Sequence, residues 1–149
     1  MGYIIHVAGG PVSYKSKLMP TLALSSCESE FCALTEVCRE IIWMCRFLDE
    51  IGLEHETPEI FCDSSSAIHW AEDPVQHQRN KHVELKYYYV RDCVSNNYVQ
   101  LFKVHTTRNI SDIMTKPVGY QILDRLVPPA LGEEPVVFEP VLPGKSMNN

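Results

Sequence analysis

The strongest constraint on the fold is a long amphipathic helix predicted over residues 26–51. Ser25 and Glu28 fit an S-x-x-E capping box at its start, and Gly52 can cap its end. The apolar positions between these signals repeat with the helical period and are Phe31, Leu34, Cys38, Ile41, Ile42, Cys45, Leu48 and Ile51. A helix with so wide an apolar stripe has to bury it against another layer of structure.

Shorter elements surround this helix in an order typical of an α+β or mixed α/β domain. The predicted elements are a β-hairpin over 2–17, strands over 59–62 and 98–104, and helices over 64–71, 82–95 and 110–115. The domain is therefore predicted to span 1–118, with a short helical extension over 119–127. Residues 128–149 contain five prolines and are predicted to form a mobile tail that does not pack.

Composition and charge exclude several classes of protein. The 149 residues are 45% hydrophobic and 21% charged, which is too apolar for a wholly disordered chain. A net charge of −6 argues against a generic nucleic-acid binder. The charge is uneven, because residues 27–63 hold ten acids and two bases whereas 76–118 hold seven bases and three acids. The acidic segment can thus bind metal ions and the basic segment a polyanion. The alternative is that both segments are simply exposed to solvent.

No apolar run approaches the ~18 residues of a membrane span, and no signal peptide is visible at the start. The six cysteines form no C-x-x-C pair, and four of them fall within the predicted long helix. We therefore expect reduced thiols in an intracellular, cytoplasmic protein without a membrane partner.

Three acidic residues stand at the ends of separate elements. Glu30 lies on the apolar face of the long helix, Asp63 ends a strand, and Asp112 lies in a short helix. Each has a plain alternative, since Glu30 and Asp112 suit a first helical turn and Asp63 suits a turn cap. If they converge, they form an oxygen-rich site for magnesium. His105 precedes Asp112 and is either a proton carrier or an exposed loop residue.

Five segments carry a more specific signal. They read GGPVSYKSK (9–17), ALSSCESEFCAL (23–34), IFCDSSSAI (60–68), NKHVELKYYYVRD (80–92) and SDIMTKP (111–117). In this order they resemble the ribonuclease H domain of copia-type retrotransposon polyproteins. The resemblance implies an α/β, ribonuclease H-like mixed sheet with flanking helices.

The resemblance also implies an activity. In that family carboxylates hold two magnesium (or manganese) ions that cleave the RNA strand of an RNA–DNA hybrid. By resemblance Glu30, Asp63 and Asp112 are the catalytic and metal-binding carboxylates. The basic segment with Arg79, Lys81 and His82 is then expected to contact the phosphates of the nucleic acid.

One feature of the family is absent from this sequence. The family's first catalytic aspartate lies on a central strand before the hairpin, and no aspartate precedes Asp49 here. We therefore expect a truncated domain that lacks this strand, is inactive or weak alone, and is prone to self-association through its open sheet. Expected partners are the hybrid and the upstream reverse transcriptase region of a polyprotein, in the cytoplasm or in element particles.

Two other functions remain open from the sequence. The first is a non-catalytic module that keeps the ribonuclease H-like fold and binds nucleic acid or protein. The second is a structural or interaction module whose acidic helix is only a solvated face. Metal binding through the three acids distinguishes the enzyme from both.

Overall fold

The computed structural model describes residues 1–18, 26–72 and 81–136 of the chain. Its elements are β1 (Gly2–Val7), β2 (Gly10–Ser16), α1 (Ser26–Glu50), β3 (Glu59–Cys62), α2 (Ser65–Glu72), α3 (Lys81–Ser95), β4 (Gln100–Lys103), two 3-10 helices (Thr106–Arg108 and Ile110–Met114) and α4 (Tyr120–Leu131). The mixed α/β class expected from the sequence is confirmed. Within these ranges, no helix is both long and apolar enough to cross a bilayer.

The described strands form two separate pairs. β1 and β2 make an antiparallel hairpin with a bulge between Ile5 and His6, and β3 pairs with β4 in parallel. The parallel pair needs a long crossover, which α2 and α3 supply. The sequence predicted a mixed sheet that lacks its central strand, and the described strands β1 and β3 are accordingly not hydrogen-bonded to each other. Strand pairing needs a spacing of about 4.8 Å, and a groove separates these two strands instead.

Helix α1 organises the core. Its buried residues Phe31, Leu34 and Cys38 belong to one cluster with Ile5 of β1 and Ile60 of β3. The predicted apolar stripe is therefore confirmed over the first half of the helix. The predicted stripe ends too late, since Ile51 follows the last residue of α1 and is 53% exposed. Trp43 and Phe47, which lie outside the stripe, stack on each other and are exposed.

Helix α4 corrects the predicted boundary of the tail. The sequence placed the end of the helical extension at residue 127, but α4 continues through Pro128 and Pro129 to Leu131. Leu126 and Ala130 are buried, so tertiary packing offsets the hydrogen bonds that the prolines cannot donate. The rest of the predicted tail beyond residue 136 lies outside the described residues.

Candidate metal site

Two of the three predicted acids meet at the carboxyl end of β3. One ligand atom each from Glu30, Cys62 and Asp63 lies within 4.8 Å of the other two. Glu30 comes from the first turns of α1, and Asp63 follows the last residue of β3. Side chains from two distant parts of the chain therefore form one candidate site for a cation.

The chain turns sharply after β3, which leaves Asp63 at the strand end. Ser64 Oγ accepts a hydrogen bond from the backbone N–H of Ala67 at 3.2 Å and so caps the start of α2. The backbone N–H of Ser64 donates to Cys62 Sγ at 3.4 Å. Because the strand stops here, the Asp63 carboxylate faces the N-terminal part of α1 rather than a strand neighbour.

Asp112 approaches the same site from a 3-10 helix. Asn109 caps that helix, since its side-chain oxygen accepts from the backbone N–H of Ser111 at 3.1 Å. The Asp112 side chain is only 15% exposed, and its Oδ2 lies 2.7 Å from Lys116 Nζ. Its charge is close enough to Glu30 to contribute to the raised pKa of that residue.

The electrostatics of Glu30 reflect this setting. Burial is the largest cause that raises the pKa of Glu30, and the negative charge of Asp63 is the next. The ammonium group of Met1 and the Lys116 side chain act in the opposite direction. A site that disfavours an ionised carboxylate because of burial and neighbouring acids gains from a bound cation.

Cys62 was not predicted as part of the site. Burial raises the pKa of its thiol to about 11, so the sulfur is protonated at neutral pH and is a poor ligand for a hard cation. Hard cations prefer oxygen ligands, so the carboxylates of Glu30 and Asp63 are the candidate ligands among the three groups. No sequence signal identified Cys62, because strand alternation predicts that neighbouring residues such as Cys62 and Asp63 face opposite sides.

Two lysines near the site were also not predicted. Lys103 Nζ donates a hydrogen bond to the backbone carbonyl of Asp63. This contact depends on the β3–β4 register, which pairs Cys62 with Lys103 and has no local sequence signal. Lys116 is four residues after Asp112, and that spacing was a signal in the sequence.

The predicted nucleic-acid residues are only partly described. Arg79 lies outside the described residues, and Lys81 and His82 are the first residues of α3. His105 has a structural role, because its Nδ1 accepts from the backbone N–H of Thr107 at 3.3 Å and caps a 3-10 helix.

Sequence comparison relates the chain to one class of protein. The chain is 38% identical over 117 residues, 78% of its length, to the retrovirus-related Pol polyprotein from transposon TNT 1-94 of Nicotiana tabacum. It is 32% identical over 140 residues to the polyprotein from transposon RE2 of Arabidopsis thaliana, covering 88% of the chain. The polyprotein from transposon RE1 of the same plant is 31% identical over 119 residues, 79% of the chain.

The chain is therefore homologous to a segment of retrovirus-related Pol polyproteins from plant transposons. The matched region spans 9%, 10% and 8% of the length of these three relatives. No family model matches the chain. No solved structure matches it either.

Proposed function

We propose that the chain is the ribonuclease H segment of a copia-type retrotransposon polyprotein. Its reaction is the hydrolysis of the RNA strand of an RNA–DNA hybrid. The proposal rests on the meeting of Glu30 and Asp63 within 4.8 Å at the end of β3. It is supported by the homology to Pol polyproteins and by the five motifs in their order.

Glu30, Asp63 and Asp112 are the proposed ligands of magnesium or manganese. Their oxygen donors match the preference of these hard cations. Two bound ions supply an activated water and stabilise the leaving oxygen of the phosphodiester. Lys116 holds Asp112 at 2.7 Å and fixes the direction of that carboxylate. Lys103 holds the backbone at Asp63 and fixes the other side of the site.

The proposed hybrid contacts involve Arg79, Lys81 and His82. Residues 76–118 carry an excess of basic side chains. Basic side chains near a carboxylate site can contact the phosphates of a bound nucleic acid and fix its position. The upstream reverse transcriptase region of a polyprotein is the proposed protein partner. We propose that the chain acts in the cytoplasm, within element particles where the element is active.

We expect the 149-residue chain alone to cut slowly. Family resemblance places a fourth carboxylate on a strand before the hairpin, and the second ion depends on it. Three carboxylates can bind one ion well but bind a second ion weakly. Water activation and leaving-group stabilisation, which need one ion each, are therefore not both supplied.

Cleavage of a labelled RNA–DNA hybrid tests the proposal. The samples are the 149-residue chain, a chain extended by an aspartate-bearing strand, and the extended chain with Asp63→Asn. Asp49→Asn is the matched control, because the Asp49 side chain is 69% exposed and pairs with His55. We expect fast cleavage only from the extended chain and from the extended chain with Asp49→Asn, and at most slow cleavage from the 149-residue chain. Equal cleavage by the Asp63→Asn chain contradicts the assigned site.

A second candidate function is a non-catalytic nucleic-acid-binding module. The observation that favours it is the 2.7 Å pair between Lys116 and Asp112, which already neutralises one of the three carboxylates. Such a module binds the hybrid equally in EDTA and in manganese. Calorimetric titration with manganese separates the two, because the enzyme loses metal binding with Asp63→Asn and the module shows none to lose.

A further inference from the structure

Two large aromatic side chains form an exposed ridge on the outer face of α1. Trp43 and Phe47 are 58% and 44% exposed, and their rings stack with centroids 5.8 Å apart. The groove between β1 and β3 is lined instead by Ile41, Cys45 and Leu48 of the same helix, so the aromatic ridge is separate from the groove. Exposed apolar side chains that are rimmed by charges are typical of a protein interaction surface.

Three charged residues share this face of the helix with the aromatic ridge. Arg39, Arg46 and Glu50 are exposed. Together with Trp43 they follow one another at intervals of four, three and four residues, which keeps them on one side of a helix. The face is therefore a continuous strip that crosses three turns of α1.

The Arg39 side chain is already oriented on this strip. Its guanidinium lies 5.6 Å from the centre of the Tyr89 ring, and its Nη1 lies 3.8 Å from Glu36 Oε1. Glu36 is bound more closely by Lys15, at 2.7 Å. The Arg39 side chain is still 61% exposed, so it can pair with a further acid without losing its contact with Tyr89.

The charge on the strip is divided between its middle and its end. The last turn of α1 ends in Asp49 and Glu50 and has no basic residue. The C-terminal end of a helix carries a partial negative charge, so acids there are unfavourable unless a cation comes close. His55 approaches Asp49 at 3.4 Å, but no basic side chain of the described residues pairs with Glu50. Glu50 therefore needs a cation from another molecule.

We propose that two copies of the chain pair through this strip, with their α1 helices antiparallel. A two-fold axis gives every contact of such a pair twice. When Trp43 lies opposite Arg46 of the second copy, Arg39 lies opposite Glu50 of that copy, because both pairs are centred on the same point of the helix. Arg46 then packs over an aromatic face and Arg39 supplies the missing cation. Phe47 adds apolar area beside the seam.

The pairing is expected to be weak and to depend on concentration. The strip from residue 39 to residue 50 is about 18 Å long on a helix ~10 Å wide. The buried surface therefore falls below the ~1,200 Å² at the lower end of stable interfaces. Exposed ion pairs and cation–π contacts are individually modest, and the two-fold axis doubles each of them. The pairing is independent of the proposed function and of self-association through the open sheet.

Sedimentation equilibrium of the full-length chain over a range of concentrations tests the pairing. Trp43→Ser removes the aromatic centre of the seam. Tyr120→Ser is the matched control, because Tyr120 is an aromatic residue of α4 that is 79% exposed. We expect Trp43→Ser to raise the dissociation constant of the dimer at least tenfold, and we expect the control to leave it unchanged.

A charge exchange tests the antiparallel register. Arg39→Glu alone, or Glu50→Arg alone, replaces both ion pairs of the dimer by pairs of like charge. Each single variant should therefore raise the dissociation constant at least threefold. The chain that carries both changes has opposite charges again and should dimerise as strongly as the unmodified chain. This exchange decides the question if Trp43→Ser does not fold.

Three results overturn the proposal. An unmodified chain that stays monomeric up to millimolar concentration leaves the strip to another region of a longer polyprotein. Dimerisation that survives Trp43→Ser unchanged uses a different surface, such as the open edge of β1. A chain with both charge changes that dimerises as weakly as either single variant shows that Arg39 and Glu50 do not face each other.

Discussion

Glu30 is an acid near the core of the protein, since it lies beside buried Phe31 and close to Asp63. Burial, and then the charge of Asp63, raises the pKa of Glu30. When the pKa of Glu30 is higher in the folded than in the unfolded chain, ionisation of Glu30 destabilises the folded state. The protonated form keeps its full contribution to folding stability below the unfolded pKa, and that contribution is lost as pH rises through the folded pKa. In EDTA we therefore expect Glu30→Gln to be more stable than the unmodified chain at neutral pH and equal to it in acid.

Urea unfolding midpoints between pH 4 and 8 measure this difference. Glu40→Gln is a suitable control on the same helix, since Glu40 accepts a hydrogen bond from Ser13 at 3.0 Å and lies outside the acidic site. A midpoint of Glu30→Gln that stays below that of the unmodified chain at pH 7 contradicts the electrostatic account.

Glu36 has the opposite pH dependence. Its hydrogen bond from Lys15, at 2.7 Å, lowers the pKa of Glu36 and links β2 to α1. Because the pKa of Glu36 is lower in the folded than in the unfolded chain, its ionised form stabilises the fold at pH values above the unfolded pKa. This stabilisation is lost as pH falls through the folded pKa. The side chains are 36% and 30% exposed, so solvent screening limits the pair to below about 1 kcal/mol. A double-mutant cycle of Lys15→Gln and Glu36→Gln should show this coupling at pH 7 and lose it in acid.

At this scale the sequence predicts residues that are anomalous in their own element. Glu30 was identifiable because an acid on an apolar helix face needs a partner, and Asp63 because it ends a buried strand. Cys62 was not identifiable because strand alternation predicts the face opposite Asp63, and Lys103 was not identifiable because its position depends on the β3–β4 register. That register pairs residues distant in sequence and leaves no local pattern.

At the scale of elements, the end of α4 is predicted to be sensitive to a single methyl group. Gly132 and Gly52 both have positive φ, at 76° and 74°, but only Gly132 has backbone within 3 Å of an added Cβ. Gly52→Ala should therefore cost about 1 kcal/mol for the backbone conformation alone. Gly132→Ala should cost a further ~1–3 kcal/mol because the hairpin turn has to shift. Equal unfolding free energies for the two variants contradict the packing of α4 against the hairpin.

Helix α4 is also predicted to be part of the core. Leu126 is buried, so Leu126→Ala should lower the unfolding free energy by about 2–4 kcal/mol. Leu131→Ala is the matched control, because Leu131 is exposed and its truncation should cost within about 0.5 kcal/mol. Chemical denaturation measures both, and a negligible cost at Leu126 would place α4 outside the folded domain.

Element boundaries follow the sequence where local signals decide them. The capping box and Gly52 placed α1 within one residue of its observed end at Glu50. The end of α4 was placed too early because proline was weighed as a local helix breaker. Burial of Ala130 against the rest of the fold outweighs that local cost.

At the scale of the whole molecule, a cation at the proposed site joins α1, β3 and a 3-10 helix. Binding to the folded state alone stabilises it, by about 2.7 kcal/mol at a ligand concentration 100 times Kd. We expect manganese to raise the melting temperature of the unmodified chain and of Asp49→Asn, but not that of Asp63→Asn. Thermal melting with and without manganese measures the effect, and an equal rise in all three contradicts binding at this site.

The arrangement of the sheets was predicted through the resemblance and not from local sequence patterns. Alternation and turn residues identified the hairpin and both later strands, and so the α/β class. The separation of β1 from β3 agrees with the expectation, drawn from the resemblance, that the strand between them is lacking. The packing of both strand pairs around α1 is long-range, and no window of sequence contains it. The meeting of Glu30 and Asp63 depends on the same packing, which is why the sequence alone left their convergence open.

The parallel pairing of β3 with β4 has a consequence during synthesis. Cys62 pairs with Lys103, so about 40 residues separate the partners. A ribosome adds roughly 5–20 residues per second, and β3 therefore emerges about 2–8 s before its partner strand. During that interval α1 can already cover the apolar side of β3. Because β3 still lacks its hydrogen-bonding partner at that stage, a nascent chain stalled just before β4 should be more sensitive to protease than one stalled after the exit of α4.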